Sequence, residues 1–254
     1  GLSSVSDPHN HDTRLARAFL RQDVMPLLQQ RFSAAENLAR LARHAQTAET
    51  LLGELAQIDA AANRSGAGFS VAGLLALPPE RRRNLLYHAW RRLDLPPPDE
   101  RWYARLDVEV LRATTVATPV LAQGAGEARR YRDELVLMPR LPAAPRPGTR
   151  LSWKDTSGIT LPPGCGELSA ERLPTGGVDV AFGVPGLALR PVGGASTRSL
   201  RNLYQEAGLP IWVRQRIPLI FLGQELIAVG DRWISAKAAA LGFSVRWSHR
   251  LPGG

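Results

Sequence analysis

Lysine is nearly missing from this sequence. Of 32 basic residues only Lys154 and Lys237 are lysine, so the rest are arginine. Cysteine is scarcer still: Cys165 stands alone, which excludes an internal disulfide, and no Cys/His spacing fits zinc. A reducing cytoplasm is the natural setting. No apolar run is long enough to span a membrane, and no signal peptide opens the chain. A Walker loop, a zinc-binding HExxH and a Gly-x-Ser-x-Gly elbow are all missing, and no Ser/His/Asp set stands out. The chain starts at Gly1 rather than Met, which suggests a piece of something longer. Acids are outnumbered, 23 against 32, for a net charge of +9. That balance suits a polyanionic partner such as RNA, and guanidinium groups bind phosphate bidentately and stack on bases. A GC-rich coding sequence would give the same arginine excess. With 254 residues and 44 % apolar content, there is material for two modest domains.

The first half reads as helical. Asp7-Pro8-His9-Asn10-His11-Asp12 is either a turn capping the next helix, with Asp12 as N-cap, or a crowded metal site. A helix is predicted over 13–25, apolar at Leu15, Phe19, Leu20 and Val24, with Arg14, Arg17 and Arg21 on another face and Pro26 ending or kinking it. Ser33-Ala-Ala-Glu36 is a capping box opening a long helix to about Ala62. Leu38, Leu41, Ala45, Ala48, Leu52 and Leu55 alternate steps of three and four along it. That stripe would pack on a neighbouring helix or support a homodimer. A loop is expected over Asn63–Gly68, a helix from Pro78 to about Leu93, and another from Asp99 to Arg112. Arg81, Arg82 and Arg83 crowd the first turn of the Pro78 helix, where basic charge opposes the dipole and favours a phosphate nearby.

From Pro119 the period shortens. Glu127–Arg132 and Leu135–Met138 read as a hairpin around Asp133-Glu134. In it Arg130 and its arginine neighbours interleave with Tyr131, which is either a half-buried strand residue, the commoner case, or a stacking site for a base. Pro139–Gly148, with four prolines, reads as a stiff linker. Antiparallel strands broken by Gly and Pro come next, and a last strand carries Phe243, Val245 and Trp247. Gly164–Gly166 reads as a turn rather than a phosphate loop, since Gly-Lys-Ser/Thr does not succeed it.

Arg198–Val229 organises the chain. Leu200, Leu203, Tyr204 and Ala207 form one apolar stripe, with Arg198, Arg201, Asn202 and Gln205 opposite. Ser196 or Thr197 would cap this helix, Gly208 would stop it and Pro210 would bar its continuation. A turn centred on Trp212 comes after it, with Arg214 and Arg216 alongside. Two apolar runs, Leu219–Leu222 and Leu226–Val229, flank Gly223-Gln224 as a hairpin.

The order helix, Gly-Leu-Pro, Trp, Arg, Pro, apolar hairpin resembles the C-terminal domain of tRNA(Ile)-lysidine synthases. Leu161-Pro-Pro-Gly-x-Gly-x-Leu168, the string Asp7-Pro-x-Asn-x-Asp12 with Arg17-x-Phe-Leu-Arg21, and the helical unit with its hairpin are similar to other parts of that family. Asn202 stands where the family would have a basic residue, and Ala18 where it usually has Asn. The resemblance implies an α+β protein: an all-helical domain with a small hairpin, then a mixed β/α domain of antiparallel strands and one basic helix. It implies a junction over 1–32, a connecting helix over 33–63, a middle domain over 64–140, a linker over 141–149 and an acceptor-stem-binding domain over 150–254. Arg198, Arg201, Asn202, Arg214 and Arg216 would meet tRNA, with Arg17, Arg21, Arg81, Arg82 and Arg130 as further candidates. The partner would be tRNA(Ile) with a CAU anticodon, whose wobble cytidine is joined to lysine. ATP and Mg would be held by a preceding domain carrying Ser-Gly-Gly-x-Asp-Ser, a motif not found here, so this chain is expected to be inactive alone and to bind no cofactor.

Overall fold

The computed structural model describes residues 13–114 and 117–249. The metal-or-turn reading of Asp7–Asp12 and the tail after His249 lie outside them. The chain divides into two compact units, residues 1–59 and 60–254.

In the first unit, α1 (Ala16–Phe19) passes through a π-helical segment, Leu20–Val24, into α2 (Met25–Arg31). Pro26 therefore does not end the helix, one of the two outcomes expected from sequence. The Met25 N–H donates to Leu20 O, five residues back, and Pro26 falls in the first turn of the next α-segment, where a missing N–H costs little. Next comes α3 (Ala34–Ala62), which opens directly after Ser33 and is about 43 Å long. Its predicted stripe is largely in solvent: Leu38 is 50 % exposed and Leu41 63 %.

The second unit begins with a miniature hairpin, β1 (Arg64–Ser65) and β2 (Gly68–Ser70), where the sequence suggests only a loop. Ser70 caps α4 (Val71–Ala76), its Oγ accepting from Gly73 N at 3.0 Å. Then come α5 (Pro79–Arg91) and α6 (Glu100–Arg105), the latter capped by Asp99 and continued by a π segment, Leu106–Leu111. Strands β3 (Val120–Gln123), β4 (Gly126–Tyr131) and β5 (Glu134–Pro139) complete a five-stranded sheet in the order β1-β2-β5-β4-β3. The predicted hairpin at Asp133-Glu134 is there, in register from Gly126↔Pro139 to Tyr131↔Glu134.

Residues 141–149 carry no helix or strand. Beyond them come β6 (Arg150–Trp153), β7 (Ile159–Thr160), β8 (Glu167–Ser169), β9 (Val178–Ala181), β10 (Ala188–Leu189) and β11 (Arg198–Ser199). Two short helices, α7 (Leu200–Glu206) and α8 (Ile211–Arg214), precede the hairpin β12 (Leu219–Leu222) and β13 (Glu225–Val229). The chain closes with β14 (Trp233–Ile234), α9 (Ala236–Ala240) and β15 (Arg246–Ser248). The main sheet here runs β14-β13-β12-β9-β6, beside a second sheet, β15-β8-β7. The fold class is α+β, as expected.

Two apolar clusters hold this unit. One gathers Leu74, Leu85, Trp90, Trp102, Leu106 and Leu135; the other gathers Trp153, Phe182, Trp212, Ile220, Ile227 and Trp247. Each such side chain contributes about 1.5–3 kcal/mol by leaving water. Strand β5 serves both. Because successive strand side chains point to opposite faces, Leu135 and Leu137 enter the first cluster while Val136 and Met138 enter the second.

Candidate nucleic-acid interface

The helix that organises the sequence is shorter than its pattern suggests. Its N-cap is Ser199, whose Oγ accepts from Asn202 N at 3.3 Å, rather than Ser196 or Thr197. Arg198 and Ser199 instead pair with Leu189 and Ala188 in a two-stranded ribbon, and strand pairing precludes helical backbone there. Leu200 and Leu203 are buried and Tyr204 half-buried, but Ala207 is exposed because the helix ends before it. Burial and loss of hydration push the Tyr204 hydroxyl well above its ordinary range. Gly208 adopts φ +64°, a left-handed turn that suits glycine. Leu209 then leads into Pro210, which caps α8.

Arg201 and Asn202 stand exposed on α7, and Arg198 beside them pairs with Glu206. That pair is open to solvent on both sides, at 39 % and 55 % side-chain exposure, so it holds Arg198 only weakly. Arg214 is held more firmly. Its Nε donates to Leu209 O at 2.6 Å and its Nη2 to the Tyr131 hydroxyl at 2.7 Å. Tyr131 comes from β4, in the sheet on the other side of the 141–149 segment. Two guanidiniums lie over its ring, Arg132 at 5.2 Å and Arg214 at 5.7 Å, and it meets Trp212 edge-on at 6.3 Å. Arg129 covers the Trp212 ring at 5.5 Å, and Arg132 Nη2 reaches Gln205 O at 3.3 Å. Of the two readings of Tyr131, the structure gives the half-buried strand residue, with two cations at its ring.

Three other candidates lie inside the protein and donate to backbone carbonyls there. Arg216 is 4 % exposed and donates to Trp212 O at 2.9 Å and Pro142 O at 2.5 Å. Burial lowers its pKa from the ordinary arginine value. Arg130 is 6 % exposed and gathers Val110 O, Leu111 O and Ala113 O on Nη1 at 2.7–3.1 Å. It closes the carbonyl end of the π segment. Arg82 is 9 % exposed, donates to Leu74 O and Leu77 O at the end of α4, and pairs with Asp107 at 2.9 Å. These are corrections to their reading as phosphate contacts. A guanidinium with five donors satisfies orphan carbonyls at helix C-termini as readily as it binds phosphate. One signal is present in the sequence: Arg130 shares the inward strand face with Ala128, so it needs interior acceptors. Arg17 and Arg21 are exposed in the first unit, and Arg81 is half-buried on α5.

The Leu161–Leu168 string forms a turn, with Leu161 N donating to Gly166 O and Cys165 N to Pro162 O. A Cβ on Gly166 would stand 2.2 Å from Ser248 O, so glycine is needed for close packing. Cys165 is fully buried, and burial raises its thiol to about 11. Among the described residues no group of three or more His, Cys, Asp or Glu could hold a metal ion. No helix of the described residues is long and apolar enough to cross a membrane.

An arginine-bearing β/α unit, locked through Tyr131 to a helical unit with its own core, defines a two-part substrate-binding module. Residues 69–136 match the TilS substrate binding domain and residues 178–249 the TilS substrate C-terminal domain. Similar curated relatives are the tRNA(Ile)-lysidine synthases of Alkalilimnicola ehrlichii, 33 % identical over 98 % of this chain, and Coxiella burnetii, 32 % over 97 %. That of Pseudomonas putida is 36 % identical over 91 %. The chain spans 57 % of the length of the first two and 56 % of the third. It belongs to the tRNA(Ile)-lysidine synthase family and carries that family's substrate-binding and C-terminal domains.

Proposed function

We propose that this chain is the tRNA-recognition portion of a cytoplasmic tRNA(Ile)-lysidine synthase. The whole enzyme joins lysine to the wobble cytidine of the CAU anticodon of tRNA(Ile). ATP and Mg act in a further domain of the enzyme, and the expected division of labour leaves the residues described here to grip RNA. Residues 141–149 separate the middle domain from the acceptor-stem-binding domain in this reading.

The observation that carries it is the exposure of Arg201 and Asn202, with a half-buried Arg198 in a solvent-open ion pair, beside an Arg214 whose plane is fixed by Tyr131 and Leu209. Arg198 can exchange its solvent-open carboxylate for a phosphate at little cost. Arg214 is oriented before RNA arrives, which lowers the ordering cost of binding. Arg17, Arg21 and Arg81 supply further positive charge, while Arg82, Arg130 and Arg216 hold the scaffold.

Binding of tRNA(Ile) should be measured by filter retention across a salt series. Six to ten phosphate contacts would reduce affinity by roughly 10³–10⁵-fold between about 50 and 200 mM salt. Arg201→Ala and Arg198→Ala should each weaken binding by about 1–3 kcal/mol and lower the salt slope by about 1. Binding that is absent, or that ignores salt, would refute the reading.

A further inference from the structure

The two-residue turn joining β4 to β5 carries an arginine where its backbone favours something else. Arg132 has φ +56°, a left-handed conformation that glycine, asparagine and aspartate adopt more readily at a hairpin turn. Its neighbours hold it there. Arg130, itself buried, donates from Nε to Arg132 O at 2.8 Å. Asp133, the other turn residue, accepts from Ser70 Oγ at 2.8 Å and from Ala72 N at 2.9 Å, and Val71 N donates to its carbonyl at 2.8 Å. Both turn residues are therefore fixed. A residue kept in a sparsely populated conformation by several partners points to a use for its side chain.

That side chain reaches the helix assigned to RNA. The Arg132 guanidinium lies over the Tyr131 ring at 5.2 Å, and its Nη2 donates to Gln205 O at 3.3 Å, 73 residues along the chain. Gln205 O belongs to the closing turn of α7, where it also accepts from Gly208 N at 3.2 Å; Tyr204 O beside it accepts from Leu209 N at 2.9 Å. A cation at these carbonyls meets the negative end of the helix. With seven residues α7 is too short to hold itself. Leu200 and Leu203 bury one side of it and Ser199 caps its start. Arg132 fastens its finish from the other matched region of the chain, residues 69–136.

We infer that Arg132 is a positioning residue for tRNA recognition: without touching RNA, it holds α7, and with it Arg201 and Asn202, to the sheet of the preceding domain. The inference rests on the RNA reading of α7. It separates two kinds of arginine that charge alone cannot tell apart, those that meet phosphate and one that aims them.

The test is Arg132→Gly in the full chain. It removes the side chain and gives the turn a residue suited to its backbone, so the fold should survive, as circular dichroism will show. Amide exchange at Gly208 and Leu209 should quicken by about fivefold or more, because the end of α7 loses its fastening. In filter retention of tRNA(Ile), affinity should fall roughly three- to tenfold with the salt slope unchanged, since no phosphate contact is lost. Arg132→Lys, which keeps a donor and a charge, should stay near the parent chain. In an Arg201→Ala background the effect of Arg132→Gly on affinity should shrink, because a group that it aims is gone. A slope lowered by about 1 would make Arg132 a phosphate contact and overturn the proposal. Unchanged affinity, or unaltered exchange at the end of α7, would overturn it too. A parent chain that ignores tRNA refutes the RNA reading instead, and the exchange rates then decide by themselves whether Arg132 holds α7.

Discussion

The contact between Tyr131 and Arg214 joins residues 83 apart in sequence and ties the two matched family regions together. A double-mutant cycle with Tyr131→Phe and Arg214→Ala tests whether it does so energetically. The hydroxyl accepts from a charged donor at 2.7 Å, a class of hydrogen bond worth about 1.5–3 kcal/mol net. Both residues are half-buried, so water replaces part of what is lost and the lower end applies. The phenylalanine keeps the ring, so the cation–π contribution, about 0.5–1 kcal/mol at a site this open, remains in that single variant. Tyr131→Phe should therefore destabilise by about 1 kcal/mol and Arg214→Ala by about 2, with a coupling of about 1. The assay is urea unfolding followed by tryptophan emission, since Trp212 sits 6.3 Å from the Tyr131 ring. Additivity within about 0.3 kcal/mol would show that the two side chains merely lie side by side, and would refute the reasoning.

Arg216→Ala should cost about 2–3 kcal/mol, because it leaves Trp212 O and Pro142 O without their donor; a loss under about 1 in urea unfolding would contradict this. The Cys165 thiol, at about 11 against its ordinary 9.0, should label with Ellman's reagent far more slowly in the native protein than in urea. An acid whose pKa is raised by folding stabilises fully below the unfolded value. The Cys165 contribution should therefore be intact below about pH 9 and be lost as pH climbs toward 11, an effect that Cys165→Ala should abolish in a pH series of melting temperatures. Equal labelling rates in the two states would rule out the burial argument.

Local chemistry carries most of the element assignments. The Ser33–Glu36 box marks the start of α3, and Gly223-Gln224 marks the β12–β13 turn, because both signals act within four residues. The departures also have local causes. Pro26 breaks a helix only where α-helical hydrogen bonding needs its N–H, and the π segment before it changes which donors are needed. Ser199 takes the cap from Ser196 and Thr197 because strand pairing already claims Arg198. Arginines are the least legible. Whether a guanidinium faces water or carbonyls depends on acceptors that the chain brings from afar. Three of those of Arg130 lie 17–20 residues away, and the one on Tyr131 that steadies Arg214 lies 83 away. Composition gives the number of such groups and says nothing of where they point.

Strand β5 has a hydrophobic mass on each face, so its length has a parity. Adding or deleting one residue within it would turn Leu135 and Leu137 toward the space shaped for Val136 and Met138, and the reverse. Only even changes leave both sides filled. A lineage carrying this strand can change its length along β5 only by twos.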